Sequence, residues 1–127
     1  MSKSVFIGID IATSNVRAVA IDRTGTPLAR ASEPLAQVIK GSDKSATQDS
    51  KSWITAVDKV LTHLCKQLIE EGFIPQSLVI SATSGTFVLC DKNYAPIAPA
   101  AMYNDGRASD PLGRAAAVIE ASKQSGP

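Results

Sequence analysis

The segment "IGIDIATSNVRAVAID", residues 7–22, decides the fold that this sequence predicts. The apolar run Val5–Ile9 leads into a carboxylate, Asp10, which small hydroxyl residues and an arginine follow. A second apolar run, Val16–Ile21, begins directly afterwards. Short, continuous apolar runs are typical of strands that are buried on both faces. Because so few residues connect the two runs, the segment predicts an antiparallel hairpin with an acid at its turn.

The residues after this hairpin predict a further strand and a loop. Asp22–Gly25 is a turn sequence whose glycine can adopt a positive φ, and Leu28–Leu35 predicts a third, weaker strand. Three strands that are joined by short turns predict an antiparallel meander. The polar segment Gln37–Gln48 predicts a loop, because it is rich in Lys, Ser, Gly and Asp.

Residues 49–72 predict the strongest helix of the chain. Asp49 or Ser50 can cap its first amides, and Gly72 can end it in the left-handed conformation. Pro75 then prevents its continuation. Apolar residues recur at spacings of three and four and therefore share one face that we expect to pack on the core: Trp53, Val57, Val60, Leu61, Leu64 and Leu68.

The remaining elements complete an α/β order. Leu78–Ala82 predicts a buried strand and Phe87–Cys90 another, and a last helix is expected to begin with Asp110 at its N-cap and Pro111 at its first position. The fold is therefore a mixed sheet that begins with an antiparallel β-β-β meander, followed by α-β-β-α. This order differs from the strict βαβ alternation of dinucleotide-binding folds, and the common glycine-rich nucleotide motifs are absent.

Composition restricts the classes of partner. The 127 residues are 44% hydrophobic and 20% charged, with a net charge of +1, which is globular and gives no support for nucleic-acid or membrane partners. No apolar run approaches the ~20 residues that span a bilayer. Cys65 and Cys90 match no metal spacing and are interpreted as buried free thiols of a cytoplasmic protein. Residues 110–127 begin a helix that no later element covers, so we expect an incomplete domain or a natural short relative of a longer protein.

The turn "DIATSNVR", residues 10–17, is the first candidate site. Its backbone N–H groups, the hydroxyls of Thr13 and Ser14 and the cation of Arg17 suit phosphate oxygens. Asp10 would repel a bare phosphate, so its place favours Mg²⁺ or a substrate hydroxyl beside it. The alternative is an ordinary hairpin whose Asp and Ser side chains cap their own backbone.

The segment "SATSGTF", residues 81–87, is the second candidate site. Small polar residues lie there between two predicted strands, and Gly85 permits a close approach of the backbone. Strand ends in mixed α/β sheets are frequent ligand sites. An ordinary turn that is rich in Ser, Thr and Gly is the alternative.

The segment "AMYNDGRAS", residues 101–109, is the third candidate site. The aromatic face of Tyr103 can cover the C–H face of a polyol, while Asn104, Asp105 and Arg107 can pair with its hydroxyls. The alternative is a charged turn in which Asp105 pairs with Arg107.

Together, these motifs resemble the N-terminal domain of the FGGY carbohydrate kinases. "QDSKSW", residues 48–53, is similar to the family's Q-D-P-x-x-W, and the third segment ends on an aromatic-x-D-x-R signature at Tyr103, Asp105 and Arg107. Residues 7–25 are similar to the family's opening G-x-D-x-G-T-[ST]-x-x-R-x-x-x-x-D-x-x-G. The residues that match this opening motif are Gly8, Asp10, Thr13, Ser14, Arg17, Asp22 and Gly25.

The resemblance implies the actin-like (ribonuclease H-like) ATPase fold, with ATP and Mg²⁺ as cofactors. It implies that Asp10 lies near the Mg²⁺, through water, and near the substrate and the transferring phosphoryl group. It implies that Thr13, Ser14 and Arg17 contact the ATP phosphates. The catalytic base and a C-terminal ATPase domain are implied to lie beyond residue 127, so no catalytic residue and no turnover are expected of residues 1–127 alone.

The resemblance also implies a small sugar or polyol as the substrate. Ser84, Tyr103, Asp105 and Arg107 are implied to line or support its pocket. The "TSGT" and "MYND" segments look closest to the branch that acts on ketopentoses such as ribulose or xylulose. The Met-His pair of typical bacterial xylulokinases is absent here, which favours a member similar to D-ribulose kinases.

One departure from the family and two other classes of function stay open. Ala12 stands where the family has glycine, and it is either tolerated or weakens nucleotide binding. The chain could be a non-catalytic sugar-binding or interaction module. It could also come from another actin-like ATPase, although such a protein has no need of the polyol-binding residues in "YNDGRA".

Overall fold

The computed structural model describes residues 3–108. Within these residues, five strands precede one long helix and two follow it, and a 3₁₀ turn at Gly106–Ala108 ends the described part of the chain. In chain order, the elements are β1 (Ser4–Ile11), β2 (Asn15–Ile21), β3 (Pro27–Pro34), β4 (Ile39–Lys40), β5 (Ala46–Gln48), α1 (Lys51–Glu70), β6 (Ile74–Ala82) and β7 (Ala100–Ala101).

The main sheet has four strands in the order β3-β2-β1-β6. β1 and β2 are antiparallel, as are β2 and β3, whereas β6 returns parallel to β1 on its other side. The predicted β-β-β meander, the helix after it and the next strand are therefore confirmed. Because β1 and β6 are parallel, their carboxyl ends lie at the same edge of the sheet.

Helix α1 covers one face of this sheet. Side chains along a strand alternate between the two faces, and on β1 the members that face the helix are Val5, Ile7 and Ile9, all buried. On β2, Val16, Ala18 and Ala20 take the same face. The helix contributes a buried stripe at spacings of four: Ala56, Val60, Leu64 and Leu68. The last three belong to the predicted apolar face, whose other members are partly buried beside the core: Trp53, Val57 and Leu61.

Two of the predicted capping residues, Asp49 and Gly72, form hydrogen bonds at the two ends of α1. Asp49 Oδ1 accepts a hydrogen bond from the N–H of Lys51 at 3.0 Å and so caps the first turn. At the other end, Gly72 has a φ of +76° and donates to the carbonyl of Ile69. The N–H of Phe73 donates to the carbonyl of Leu68 at 2.8 Å, which completes a Schellman motif.

Two predictions about the connecting segments are wrong. The segment Gln37–Gln48, predicted as a loop, contains β4 and β5, and β5 pairs with both β4 and β7 in a second, three-stranded sheet. The predicted strand Phe87–Cys90 is absent, and only isolated bridges join Phe87 to Ala101 and Cys90 to Pro96. The strands of the second sheet are two or three residues long and depend on distant partners, so local periodicity does not reveal them.

The burial predicted for the strand Leu78–Ala82 is also wrong. The strand begins earlier, at Ile74, and every residue of β6 is exposed, because it pairs with β1 along one edge and α1 lies mainly over the other strands. The cysteines differ from the prediction as well, since Cys65 is half-buried and Cys90 is exposed. The predicted helix at Asp110 lies outside the described residues, and no helix within residues 3–108 is long and apolar enough to cross a membrane.

We expect Leu64→Ala to lower the free energy of unfolding by about 2–5 kcal/mol, because it leaves a cavity under α1 where a fully buried leucine packs. The control is Ile54→Ala on the same helix, where the side chain is 75% exposed. This control should change the free energy by less than about 0.5 kcal/mol. Urea unfolding followed by circular dichroism measures both, and equal losses would contradict the assignment of the buried face.

Candidate functional site

The parallel pairing of β1 and β6 brings two of the predicted sites together. The β1–β2 turn, residues 12–14, follows the carboxyl end of β1, and the loop of residues 83–86 follows the carboxyl end of β6. The N–H of Thr83 donates to the carbonyl of Ile11 at 3.2 Å and ties the two connections side by side. Polar groups from distant parts of the sequence therefore meet at one edge of the sheet, where open α/β sheets bind ligands.

The β1–β2 turn has backbone donors that no internal acceptor uses. Ala12 donates to the carbonyl of Asn15 at 3.0 Å, and the Ser14 carbonyl accepts from the N–H of Leu35 at 2.9 Å. Within residues 3–108, the N–H groups of Thr13 and Ser14 donate to no acceptor. Two adjacent N–H groups without an internal acceptor, beside two hydroxyls, are donors that could bind an anion.

Asp10 and Arg17 lie on the face of the sheet opposite α1. They are direct cross-strand partners in the β1–β2 register, and both are exposed. In the part of the chain that the structure describes, neither side chain forms an ion pair. Both charges are therefore available to a ligand beside the turn.

A lone carboxylate fits Mg²⁺ better than it fits most other metals. Residues 3–108 contain no cluster of three or more His, Cys, Asp or Glu side chains that could hold a metal ion. Mg²⁺ usually keeps several waters and is bound through one or two carboxylates together with substrate phosphates. Asp10 could hold a hydrated Mg²⁺ in that way.

Ala12 is accommodated without backbone strain. Its φ lies outside the left-handed region, in which the described non-glycine residues are Lys44 and Tyr94 alone. The residue is half-buried, and its backbone N–H is used inside the turn. The glycine that the family has at this position is therefore not required here for a positive φ.

Asp105 and Arg107 pair with each other, as the alternative interpretation of this segment predicts. Arg107 Nε lies 2.9 Å from Asp105 Oδ1, and Arg107 Nη2 lies 2.7 Å from Oδ2. Asp105 also accepts from the N–H of Ala46 in β5 at 3.0 Å, and its side chain is only 10% exposed. Hydrogen bonding to Arg107 holds the pKa of the Asp105 carboxyl well below its usual range, and the same contact raises the pKa of Arg107. The pair ties the segment to β5.

Tyr103 lies against the loop of residues 83–86. Its N–H donates to Thr86 Oγ1 at 3.1 Å, and its ring is exposed. Gly85 has a φ of +75°, and a Cβ added there would lie 3.4 Å from the Cβ of Tyr103. The loop and the aromatic residue are therefore in close contact, with Ser84 exposed beside them.

A cavity of about 100 Å³ lies behind this edge, on the side of α1. Its apolar walls come from Ile11, Ala12, Ala82 and Met102, and Gln48, Trp53, Thr83 and Thr86 complete it. None of the predicted site residues lines this cavity. It is bounded by the backbone connections that carry them.

Gln48 is the buried residue of this region to which sequence reasoning assigned no role. Its side chain is 1% exposed, and Nε2 donates to the Thr13 carbonyl at 2.9 Å and to the Ala36 carbonyl. Its Oε1 accepts from Trp53 Nε1 at 2.7 Å. The sequence feature that could have indicated this role is the spacing of five residues between Gln48 and Trp53, which lies in the first turn of α1. Buried amides with several partners organise the backbone around them.

Comparison with known proteins places the chain in a family. Residues 5–122 match the model of the FGGY family of carbohydrate kinases, N-terminal domain. The chain belongs to this family, which confirms the resemblance that the motifs predict.

The curated relatives are xylulose kinases that are far longer than this chain. The chain is 28% identical to the xylulose kinase of Staphylococcus epidermidis over 86% of its own length, and 28% identical to that of Lactococcus lactis over 81%. It spans only 22% and 20% of those two proteins.

Solved structures confirm the actin-like fold. The crystal structure of xylulose kinase from Rhodospirillum rubrum matches with a TM-score of 0.80 at 26% identity, over 89% of this chain and 23% of that one. A gluconate kinase from Lactobacillus acidophilus has a TM-score of 0.77 at 18% identity, over 94% of this chain and 24% of that one. That second likeness concerns the fold alone.

We expect the Asp105–Arg107 pair to make stability dependent on acid pH. The pKa of the Asp105 carboxyl is lower in the folded state than in the unfolded state. The ion pair therefore contributes its full stabilisation above the pKa of the unfolded state, about 3.9, and loses it as the pH falls through the pKa of the folded state. Asp105→Asn should therefore lower the thermal midpoint of unfolding at pH 7. The gap between the midpoints of the variant and the parent should narrow below about pH 4.

Thermal unfolding between neutral and strongly acidic pH measures this difference. Asp58→Asn, an exposed position of α1 without an ion pair in residues 3–108, serves as the control. A deficit of Asp105→Asn that stays constant with pH would contradict the assigned charge interaction.

Proposed function

We propose that this chain is the N-terminal portion of an ATP-dependent kinase that phosphorylates a ketopentose or similar polyol, with D-xylulose or D-ribulose as the favoured substrates. The observation that carries the proposal is the meeting of the β1–β2 turn with the loop of residues 83–86 at the carboxyl ends of two parallel strands. The family membership and the relatives named xylulose kinases support it. Family membership also favours a carbohydrate kinase over other actin-like ATPases.

The turn would bind the phosphates of ATP. The free N–H groups of Thr13 and Ser14 and their hydroxyls would donate to phosphate oxygens, and Arg17 would add a positive charge. Asp10 would hold a hydrated Mg²⁺ that in turn neutralises the phosphates. When bound, Mg²⁺ supplies charge stabilisation in the transition state of phosphoryl transfer.

The sugar would lie against the loop and the third segment. The exposed ring of Tyr103 offers a face for the C–H side of the sugar, and Ser84 offers a hydroxyl beside it. Asp105 and Arg107 act on this surface indirectly, because their charges are used on each other and on β5. They would keep Tyr103 in place.

Phosphoryl transfer needs further groups, which we assign to another part of the kinase. A sugar hydroxyl oxygen attacks the γ-phosphorus, the bond from that phosphorus to the β–γ bridging oxygen breaks, and ADP leaves. A general base takes the hydroxyl proton, and we assign that base and most of the adenosine contacts to a C-terminal ATPase domain. The free thiols of Cys65 and Cys90 support a reducing compartment, so we place the reaction in the cytoplasm.

We expect residues 1–127 to bind the sugar weakly and to lack turnover. With Mg·ATP and D-ribulose or D-xylulose, the chain should release no sugar phosphate above background. Calorimetry should detect sugar binding that Tyr103→Ala weakens about tenfold, as the loss of one aromatic contact of roughly 1.4 kcal/mol would do.

Tyr94→Ala is the matched control for this experiment. Tyr94 is a tyrosine that is 89% exposed in the turn of residues 91–95, away from the predicted sugar contacts. It should leave sugar affinity unchanged. Product formation by residues 1–127 would contradict the assignment of the base to a second domain, and equal effects of the two variants would contradict the role of Tyr103.

We expect Asp10→Asn to weaken the gain in tripolyphosphate affinity that Mg²⁺ produces. The carboxylate repels bare tripolyphosphate, so the variant should bind the metal-free anion more tightly than the parent does. The parent should gain affinity when Mg²⁺ is added, and the variant should gain less. Calorimetric titration with and without Mg²⁺ measures this, Asp58→Asn is the control, and an unchanged Mg²⁺ effect in Asp10→Asn would contradict the role of Asp10.

A further inference from the structure

The orientation of the Gln48 amide is fixed by its partners. Trp53 Nε1 can only donate, so it must face Oε1 of Gln48. The carbonyls of Thr13 and Ala36 can only accept, so they must face Nε2. All the hydrogen bonds agree with a single orientation, and the buried amide has no competing arrangement.

The bond from Gln48 to the Thr13 carbonyl also fixes the direction of the Ser14 N–H. The carbonyl of Thr13 and the N–H of Ser14 belong to one planar peptide group, and in a trans peptide they point in opposite directions. Gln48 is buried on the inner side of the turn, so this peptide presents its N–H outward. Rotation of the peptide would break the bond to Gln48 and turn the Ser14 N–H away from the anion site.

The surrounding contacts leave this peptide dependent on Gln48. The turn is closed on either side by the bond from Ala12 to Asn15 and by the bond from Leu35 to the Ser14 carbonyl. In the described residues, the Thr13 carbonyl is bonded to Gln48 alone. The backbone bonds therefore fix the ends of the turn, and the Gln48 side chain fixes the peptide between them.

We propose that Gln48 is a positioning residue, which holds the Thr13–Ser14 peptide so that the Ser14 N–H faces a bound polyphosphate. Trp53 assists by holding the amide in the productive orientation. The proposal deepens the proposed function and rests on it for the identity of the anion. The orientation of the peptide does not depend on that identity.

The test uses residues 1–127, inorganic tripolyphosphate as the probe, and Gln48→Met, which keeps an unbranched side chain of similar length without its amide. Two-dimensional ¹H–¹⁵N NMR without any anion tests positioning alone. The Ser14 amide signal should move in the variant, while signals of α1 from Val60 to Leu68, beyond the turn that contains Trp53, stay in place. Tripolyphosphate affinity should fall about tenfold, the effect expected when one well-oriented donor is lost. A folded variant with an unchanged Ser14 signal and unchanged affinity would overturn the proposal.

If Gln48→Met does not fold, an NMR titration of the parent chain with tripolyphosphate tests the positioning role. Tripolyphosphate should shift the amides of Thr13 and Ser14 and the side-chain NH₂ signals of Gln48. The exposed side chain of Gln76, which donates to the Ile74 carbonyl, is the control within the same spectrum and should not respond. Shifts at Ser14 without any at Gln48 would overturn the positioning role alone. No response at Thr13 and Ser14 would overturn the phosphate role in the proposed function, and this inference with it.

Discussion

The hydrogen bonds of the Gln48 side chain are the constraint on which the functional edge of this domain depends. One buried amide joins the β1–β2 turn, the chain after β3 and the first turn of α1. The backbone bond from Leu35 to the Ser14 carbonyl also joins the first two segments, and the Gln48 side chain adds the helix to them. Leaving any of the buried partners unsatisfied would cost about 1–3 kcal/mol, so the three segments keep one relative arrangement. Through Trp53 and Gln48, the first turn of α1 therefore supports the β1–β2 turn.

The first half of the fold could be predicted from the sequence because its signals are local. The apolar runs that become β1 and β2 are separated by so few residues that a hairpin is the simplest connection. The helix was evident for the same reason, since a stripe at spacings of three and four is contained within a single segment. Its ends were also predictable, because Asp49 and Gly72 act on the backbone within one turn of themselves. Local chemistry was sufficient in each case.

Pairing and exposure in the second half depend on residues that are distant in sequence, and there the predictions were wrong. Ala46–Gln48 becomes a strand because Ala100–Ala101 lies beside it, and neither segment is periodic enough to reveal this alone. An apolar composition suggested burial for Leu78–Ala82, but burial requires elements on both faces and both edges. Within residues 3–108, β6 has one neighbouring strand. Residue type indicates what can be buried and does not identify what covers it.

The contacts of the candidate site residues could not be predicted from residue type. Asp105 and Arg107 have the chemistry of sugar ligands, yet their geometry turns them toward each other and toward the N–H of Ala46. Ala12 differs from the glycine that the family has at this position. The backbone there has no positive φ, so its conformation does not require glycine. Its side chain borders the cavity of about 100 Å³, so it has room. An effect of Ala12 on a ligand would therefore act through its Cβ beside the turn, because the backbone conformation there does not require glycine.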